Sequence, residues 1–214
     1  MSIFADKMTS HVAAVRSDAS CWAAVIARDA AADGPFCNRI EPAPAGGSDT
    51  VIRFAIGQGS LGLVLVAASG KGICAILLGD DSATLLDDLH DRFPHWAISA
   101  GDQDLEQLLA KVIGFVESPA CGLDWPLDIR GTAFQRRVWQ ALSDIPPGTT
   151  VSYADIARRI GSPKAVRAVA RACAGNRIAV AIPCHRVVRG DGAPSGYRWG
   201  VARKQALQAR EALR

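Results

Sequence analysis

The sequence predicts an α/β N-terminal subdomain with a three-stranded antiparallel sheet, followed by a mainly α C-terminal subdomain that carries a helix-turn-helix. Three short β-like runs, Val51–Ile56, Leu61–Ala67 and Gly72–Leu78, succeed one another across short Gly-containing gaps, the pattern of antiparallel hairpins. After Pro126 the spacing becomes helical and stays so. A chain of 214 residues holds one domain or two small ones at roughly 100–200 residues each. It can bury about 70% of its unfolded surface without a disulfide or metal staple.

The elements follow in order. Cys21–Ala32 has Trp22, Val25 and Ile26 at helical spacing, and Glu41–Ser48, with two prolines and two glycines, reads as a linker. Together they make an N-terminal segment, 1–48. The three strands open a supporting α/β subdomain, 49–126. Within it Asp80–Arg92 places Leu85, Leu86 and Leu89 on one helical face behind an acidic first turn, which suits the helix dipole. Asp104–Val116 repeats the pattern with Leu105, Leu108, Leu109, Val112 and Val116. The second subdomain is 127–214. Phe134–Leu142 is amphipathic through Phe134, Val138 and Leu142, and Pro146-Pro147-Gly148 breaks the chain after it. Ser152 then caps a helix with Asp155 at N3, a variant of the capping box, and Ile156, Ala157 and Ile160 form its apolar side. Gly161 fits C′, Ser162 caps the next helix, Pro163 takes N1, and Val166, Val169 and Ala170 face inward. Two short helices around a Gly-containing turn are the helix-turn-helix pattern.

The net charge of +3 hides a split. Residues 1–127 carry 8 Lys and Arg against 16 Asp and Glu, a net of −8, while residues 128–214 carry 16 against 5, a net of +11. That asymmetry points to a polyanion as partner of the second half. Lys164, Arg167 and Arg171, spaced i, i+3, i+7, share the outer face of the second helix, and Arg158 and Arg159 end the first, so DNA is the expected partner. No apolar run reaches 18 residues, so no membrane is expected. The first twenty residues hold acids and no continuous apolar core; without a secretory signal the expected location is cytoplasmic. The six cysteines, at 21, 37, 74, 121, 173 and 184, contain no CxxC pair, so neither a zinc site nor a disulfide is expected. Cys74 and Cys173 read as buried and inert.

Cys184 stands apart, in Ile182-Pro183-Cys184-His185-Arg186. Pro183 fixes its own φ and sets the approach to the cysteine. Arg177, His185, Arg186 and Arg189 flank it, and a basic setting favours the thiolate, which is the nucleophilic form. Neighbours in sequence point different ways, so His185 needs a bridging water to serve Cys184. On these residues alone, an inert buried cysteine and a cysteine hydrolase both stay open.

IPCHRVV (182–188), taken with VSYADIARRIGSPKAVRAVARACAGN (151–176), resembles the signature of the O6-alkylguanine-DNA alkyltransferase, or methylated-DNA–protein-cysteine methyltransferase, family. GICAILLGDD, PLDIRGTAFQ, VWQAL, IPCHRVVRGDG and SGYRWGV extend the likeness from about Val51 to the end of the chain. It is greatest to the C-terminal repair domain of the Ada-type bacterial members. The resemblance implies an RNase H-like first subdomain and a winged-helix-like second one. It implies a monomer with no cofactor and no metal, whose partner is double-stranded DNA carrying O6-alkylguanine, bound through the minor groove. Cys184 becomes the acceptor of an alkyl group, mainly methyl, from O6-methylguanine and O4-methylthymine, in one irreversible, stoichiometric step after nucleotide flipping. His185 is then its base through water, Glu211 orients the histidine, and Asn176 ties the helix-turn-helix to the cysteine loop. Tyr153 hydrogen-bonds the guanine ring, the Cys184 and Val187 carbonyls take its exocyclic amine, and Tyr197, the Arg198 backbone and Trp199 close the pocket. Arg167 fills the vacated stack, while Gln135, Tyr153, Ala154, Ser162, Lys164 and Arg171 make the remaining DNA contacts.

Some features depart from that pattern. Trp22–Phe36 resembles the opening of the Ada-type N-terminal domain, but the later cysteines of that domain's zinc-thiolate cluster are absent, so phosphotriester repair and transcriptional self-activation are not implied. Ala179 and Trp199 stand where the human member has proline and glycine, which implies a pocket that prefers methyl over benzyl. Two further readings use the same residues: a helix-turn-helix regulator in which Cys184 is structural, and a lesion-binding alkyltransferase-like protein without transfer.

Overall fold

A computed structural model describes residues 51–119, 123–190 and 196–212. The helix expected at 21–32, the linker at 41–48 and the segment resembling an Ada-type N-terminal domain lie outside the described residues.

The three expected strands form a meander of β1 (Val51–Gly59), β2 (Gly62–Ser69) and β3 (Gly72–Gly79). Gly59 pairs with Gly62 and Ser69 with Gly72, so both connections are tight. Gly62 and Gly72 take φ of +99° and +137°, where a side chain is strained. The sheet nevertheless corrects the three-stranded antiparallel expectation. It is mixed and four-stranded, in the order β3-β2-β1-β4, because β4 (Ala97–Ala100) pairs parallel with β1. Four residues with Ile98 as their only large apolar side chain show no alternation to read. Their pairing follows from a helical return connection, which parallel neighbours require.

α1 (Ser82–Arg92) buries Leu85 and Leu89 beside β3, and α2 (Gln103–Glu117) buries seven side chains, among them Leu105, Leu109 and Val116, against β1 and β2. The acidic first turn expected for α1 is instead a cap. The Asp81 carboxylate accepts the Thr84 N–H at 2.7 Å, and Asp102 accepts the Leu105 N–H at 3.2 Å ahead of α2. Caps of this kind contribute about 1 kcal/mol each.

The second half is helical: α3 (Ala133–Ser143), β5 (Val151–Ser152), α4 (Tyr153–Arg159), α5 (Val166–Ala174), a 3₁₀ turn (Cys184–Arg186), β6 (Val187–Val188) and α6 (Val201–Ala212). Val138, Trp139 and Leu142 of α3 pack with Ile156, Ala157, Val169 and Ala172 of α4 and α5. The Trp139 indole N–H donates to the Ala172 carbonyl at 2.9 Å, which fastens α3 to the end of α5. The Ser152–Asp155 capping box forms as read, and Gly161 closes α4 at φ +70°.

The start of α5 differs from the expectation. Ser162 does not cap it and Pro163 is not its N1 residue; Ala165 is the N-cap, without a side-chain bond. Ser162–Ala165 instead form a turn, closed by Ala165 N–H to Ser162 O at 2.9 Å. Pro163 occupies the second place of that turn, where its preset φ is equally at home. Lys164 therefore lies in the turn, and Arg167 and Arg171 on the helix.

One junction positions the site. The outer edge of β3 is covered by two later stretches of chain, at 126–128 and 177–179. Ile73 exchanges backbone bonds with Pro126 and Asp128, at 2.9 and 2.8 Å. Ile76 does so with Arg177 and Ala179, both at 2.9 Å. Covering an edge strand satisfies its backbone groups, and here it mounts the chain that leads to Cys184 on the sheet. No helix of the described residues is long and apolar enough to cross a membrane.

Candidate active site

From Ala179 the chain makes two three-residue turns before the nucleophile. Ala181 N–H bonds Ala179 O at 2.7 Å around Val180, whose φ is +66°. A β-branched residue there is strained, by about 1–3 kcal/mol, and such strain persists only where surrounding structure enforces it. Cys184 N–H then bonds Ile182 O at 2.8 Å around Pro183, at φ −80° and ψ 58°, an inverse γ-turn. Pro183 sets the approach to Cys184 as its sequence position implied.

Asn176, fully buried at the end of α5, ties this loop together. Its Nδ2 donates to Ile182 O at 2.9 Å and to Cys184 Sγ at 3.3 Å, while its Oδ1 accepts the Ile178 N–H at 2.9 Å. Two of the flanking basic residues, Arg177 and Arg186, are engaged away from the thiol. Arg177 stacks over Phe93 and Arg186 turns to Glu211 and the Ile145 carbonyl. Burial therefore dominates and pushes the Cys184 thiol up to about 11, with the Asn176 bond and Lys204 pulling the other way. The resting group is a thiol, and ionising it needs a base.

His185, fully buried, is the titratable group next to it in sequence. Its Nε2 meets Glu211 Oε1 at 2.9 Å. Burial alone raises the Glu211 carboxyl, but hydrogen bonds from His185 and Arg186 outweigh it and hold the group at about 2. Burial also lowers the His185 imidazole, against the pull of Glu211, so it stays neutral. An ionised carboxylate only accepts, so Nε2 carries the proton and Nδ1 is left as the acceptor. Nδ1 is buried and hydrogen-bonds no described residue. Gly148 N–H and Gln208 complete the frame, on Glu211 at 3.2 Å and on the His185 carbonyl at 2.7 Å.

These shifts fix a pH response. His185 is lowered in the fold, so the unfolded chain takes up its proton first and stability is lost as pH falls below 6.5. Glu211 is also lowered; its contribution is full above 4.5 and is lost as pH falls from there to about 2. Urea unfolding midpoints measured from pH 8 to pH 3 are expected to fall in two stages, the upper one absent in His185→Gln.

The other expected residues take clear places. Tyr153 opens α4, one residue after Ser152, which pairs with Val188, so it stands beside the cysteine turn. Tyr197 and Trp199 meet edge to face at 5.1 Å, and Tyr197 Oη and Trp199 Nε1 are buried without a hydrogen bond to any described residue. The Arg198 side chain leaves the group and reaches Asp88. Ala154, Lys164, Arg167 and Arg171 are exposed along the helix-turn-helix, and Ser162 is half-buried. Gln135 is engaged as a cap: its Oε1 accepts the Thr132 N–H at 2.9 Å. Reading the sequence missed Lys204 and Gln208, which bond the carbonyls of Val187 and His185 at the cysteine turn, and the pairing of Arg186 with Glu211. Their signal was the i, i+4, i+7 spacing of Lys204, Gln208 and Glu211.

The model of the 6-O-methylguanine DNA methyltransferase DNA-binding domain matches residues 133–213. Over 167 residues the chain is 56% identical to the bifunctional transcriptional activator/DNA repair enzyme Ada of Escherichia coli (strain K12), covering 78% of this chain and 47% of that protein. The chain thus spans about half the length of that relative. It is 36% identical to the inducible methylated-DNA–protein-cysteine methyltransferase of Bacillus subtilis (strain 168), covering 72% of this chain and 82% of that one. The structure of Mycobacterium tuberculosis OGT in complex with DNA matches with a TM-score of 0.60 at 32% identity, over 76% of this chain and 92% of that one. A shared sequence over most of a relative's length, a shared fold and a matching DNA-binding domain lead to one conclusion: this chain belongs to the methylated-DNA–protein-cysteine methyltransferase family.

Proposed function

We propose that the protein repairs duplex DNA by moving the alkyl group, mainly methyl, of O6-methylguanine onto Cys184, once per molecule and without a cofactor. The observation that carries this reading is the buried pairing of His185 with Glu211 beside a thiol held by Asn176. The target carbon is shielded in the duplex, so the nucleotide flips out, at a cost of a few kcal/mol. The thiol proton passes through a water to His185 Nδ1. Cys184 Sγ then attacks the alkyl carbon; an S–C bond forms as the C–O6 bond breaks, and its electrons leave with the guanine. Tyr153 hydrogen-bonds the ring and stabilises that developing charge, while the Cys184 and Val187 carbonyls take the exocyclic amine. A thioether has no ready leaving group, so the acceptor is not regenerated. O4-methylthymine fits the same chemistry as a second substrate.

On this reading residues 127–214 bind DNA as a monomer, with the recognition helix α5 in the minor groove and a winged-helix-like arrangement. Residues 49–126 are an RNase H-like support, and the protein works in the cytoplasm. Arg167 is exposed on α5 and replaces the flipped base in the stack. Arg167→Ala is expected to slow duplex repair about tenfold, the value of a lost stacking contact, while reaction with the free base O6-methylguanine changes far less. Equal losses in both assays would remove the stacking role.

The reading is tested with a duplex carrying radiolabelled O6-methylguanine. One label per chain, recovered on the peptide containing Cys184, is expected. Duplex binding without label transfer favours the regulator or the lesion-binding protein instead.

A further inference from the structure

Buried polar side-chain atoms without a hydrogen bond occur on four side chains among the described residues: Arg92, His185, Tyr197 and Trp199. Arg92 and His185 are accounted for. Arg92 Nε lies 3.1 Å from Asp88 Oδ1, and His185 Nδ1 accepts the thiol proton on the proposed reading. The atoms that remain, Tyr197 Oη and Trp199 Nε1, belong to a single turn. Gly200 N–H closes that turn on the Tyr197 carbonyl at 3.0 Å, with Gly200 at φ +97°. Arg203 holds the Trp199 carbonyl at 2.9 Å, and Arg198, between the two rings in sequence, reaches Asp88 at 2.5 Å. The rings themselves meet edge to face, with centroids 5.1 Å apart. The turn leads directly into α6, whose Gln208 and Glu211 bond the cysteine turn.

Phenylalanine would supply a similar ring at either place without stranding a polar atom, and buried Tyr and Trp ordinarily find a partner. Trp199 is 5% exposed, and its indole N–H can only donate. Tyr197 packs partly buried against the core, and burial pushes its phenol well up, so it keeps its proton and can donate as well. A ligand that satisfies this turn therefore brings two neighbouring acceptors. Guanine has such a pair, because O6 and N7 are both acceptors and share one edge. On the proposed reading the opposite edge is already taken, by Tyr153 and by the Cys184 and Val187 carbonyls. Adenine presents a donor beside its N7, and cytosine a donor alone, so two donors also select for guanine.

We propose that Tyr197 and Trp199 form a two-donor subsite for the O6–N7 edge of the flipped guanine, with Tyr197 Oη on O6 and Trp199 Nε1 on N7. The phenol takes O6 because Cys184, which attacks the carbon carried by O6, acts electrostatically on Tyr197. A donor on O6 strengthens as the C–O6 bond breaks and its electron pair stays with the base, so Tyr197 acts on the rate. N7 keeps its lone pair throughout, so Trp199 acts on recognition. The inference rests on the alkyl-transfer reading and adds the residues that read this edge. Single-turnover methyl transfer is measured for the wild type, Tyr197→Phe and Trp199→Phe on two duplexes. One carries O6-methylguanine, the other its 7-deaza analogue, in which C–H replaces N7. Trp199→Met is the second donor-free variant should Trp199→Phe fail to fold. Loss of N7 is expected to slow the wild type and Tyr197→Phe about tenfold, and the folded Trp199 variant by less than about twofold. Tyr197→Phe is expected to be at least about tenfold slower than the wild type on both duplexes. Packing damage alone slows both duplexes alike and does not make a variant indifferent to N7. A folded Trp199 variant that loses as much as the wild type on the 7-deaza duplex, or Tyr197→Phe at the wild-type rate, overturns the proposal. Absence of methyl uptake by the wild type from the O6-methylguanine duplex overturns the transfer reading instead.

Discussion

Replacing Cys184 with alanine is expected to abolish methyl uptake from an O6-methylguanine duplex and to leave affinity for that duplex within about twofold, because distant, independent sites respond separately. The thiol is 6% exposed, so its loss leaves a small internal space at a cost of about 1 kcal/mol. Asn176 keeps its bonds to Ile182 and Ile178 and still holds the loop. The basic side chains of α4 and α5 project elsewhere. Gel-shift titration and label transfer, run on the same preparation, check both halves. Residual uptake would require a second acceptor, and the buried thiols of Cys74, pushed up to about 12, and Cys173 are poor ones.

Glu211→Gln is the second large effect, and it strikes stability and chemistry together. The carboxylate neutralises Arg186, itself 6% exposed, and a buried ion left without its partner costs about 3–5 kcal/mol. For a chain of this size that lowers the melting temperature on the order of 10 °C. The amide also no longer fixes the proton on His185 Nε2, so Nδ1 loses its standing as acceptor. Single-turnover transfer is expected to slow about a hundredfold or more, the worth of a general base. A variant that melts early but transfers at the wild-type rate would reduce Glu211 to a structural ion-pair partner.

Much of this arrangement was legible because it is local. The Ser152–Asp155 box, Gly161 after α4 and the glycines between strands each act within a few residues of themselves, and each formed where it was read. Thr132 and Gln135 show the same spacing ahead of α3, a cap that helical periodicity alone passed over. The onset of α5 was misread because Pro163 suits a helix start and a turn equally, and only packing decides between them. β4 was hidden because its partner lies more than forty residues earlier. Glu211 and Asn176 emerged only through family likeness, since nothing near either residue announces a histidine or a cysteine. Lys204 was missed for a different reason: a polar stripe reads as a wetted face, and only the packed structure turns that face inward. Val180 carries no glycine to mark its unusual φ.

The bonds between Ile76 and the Arg177–Ala179 stretch have one more consequence. On the proposed single transfer per molecule, a poorly aimed attempt is not averaged over later cycles. Sheet pairing is discrete: a strand is in register or displaced by a whole residue, a step of about 3.3 Å. By fastening the chain ahead of Cys184 to β3, the fold makes aiming error quantised, so that small drift is refused and only a gross misfold misplaces the sulfur.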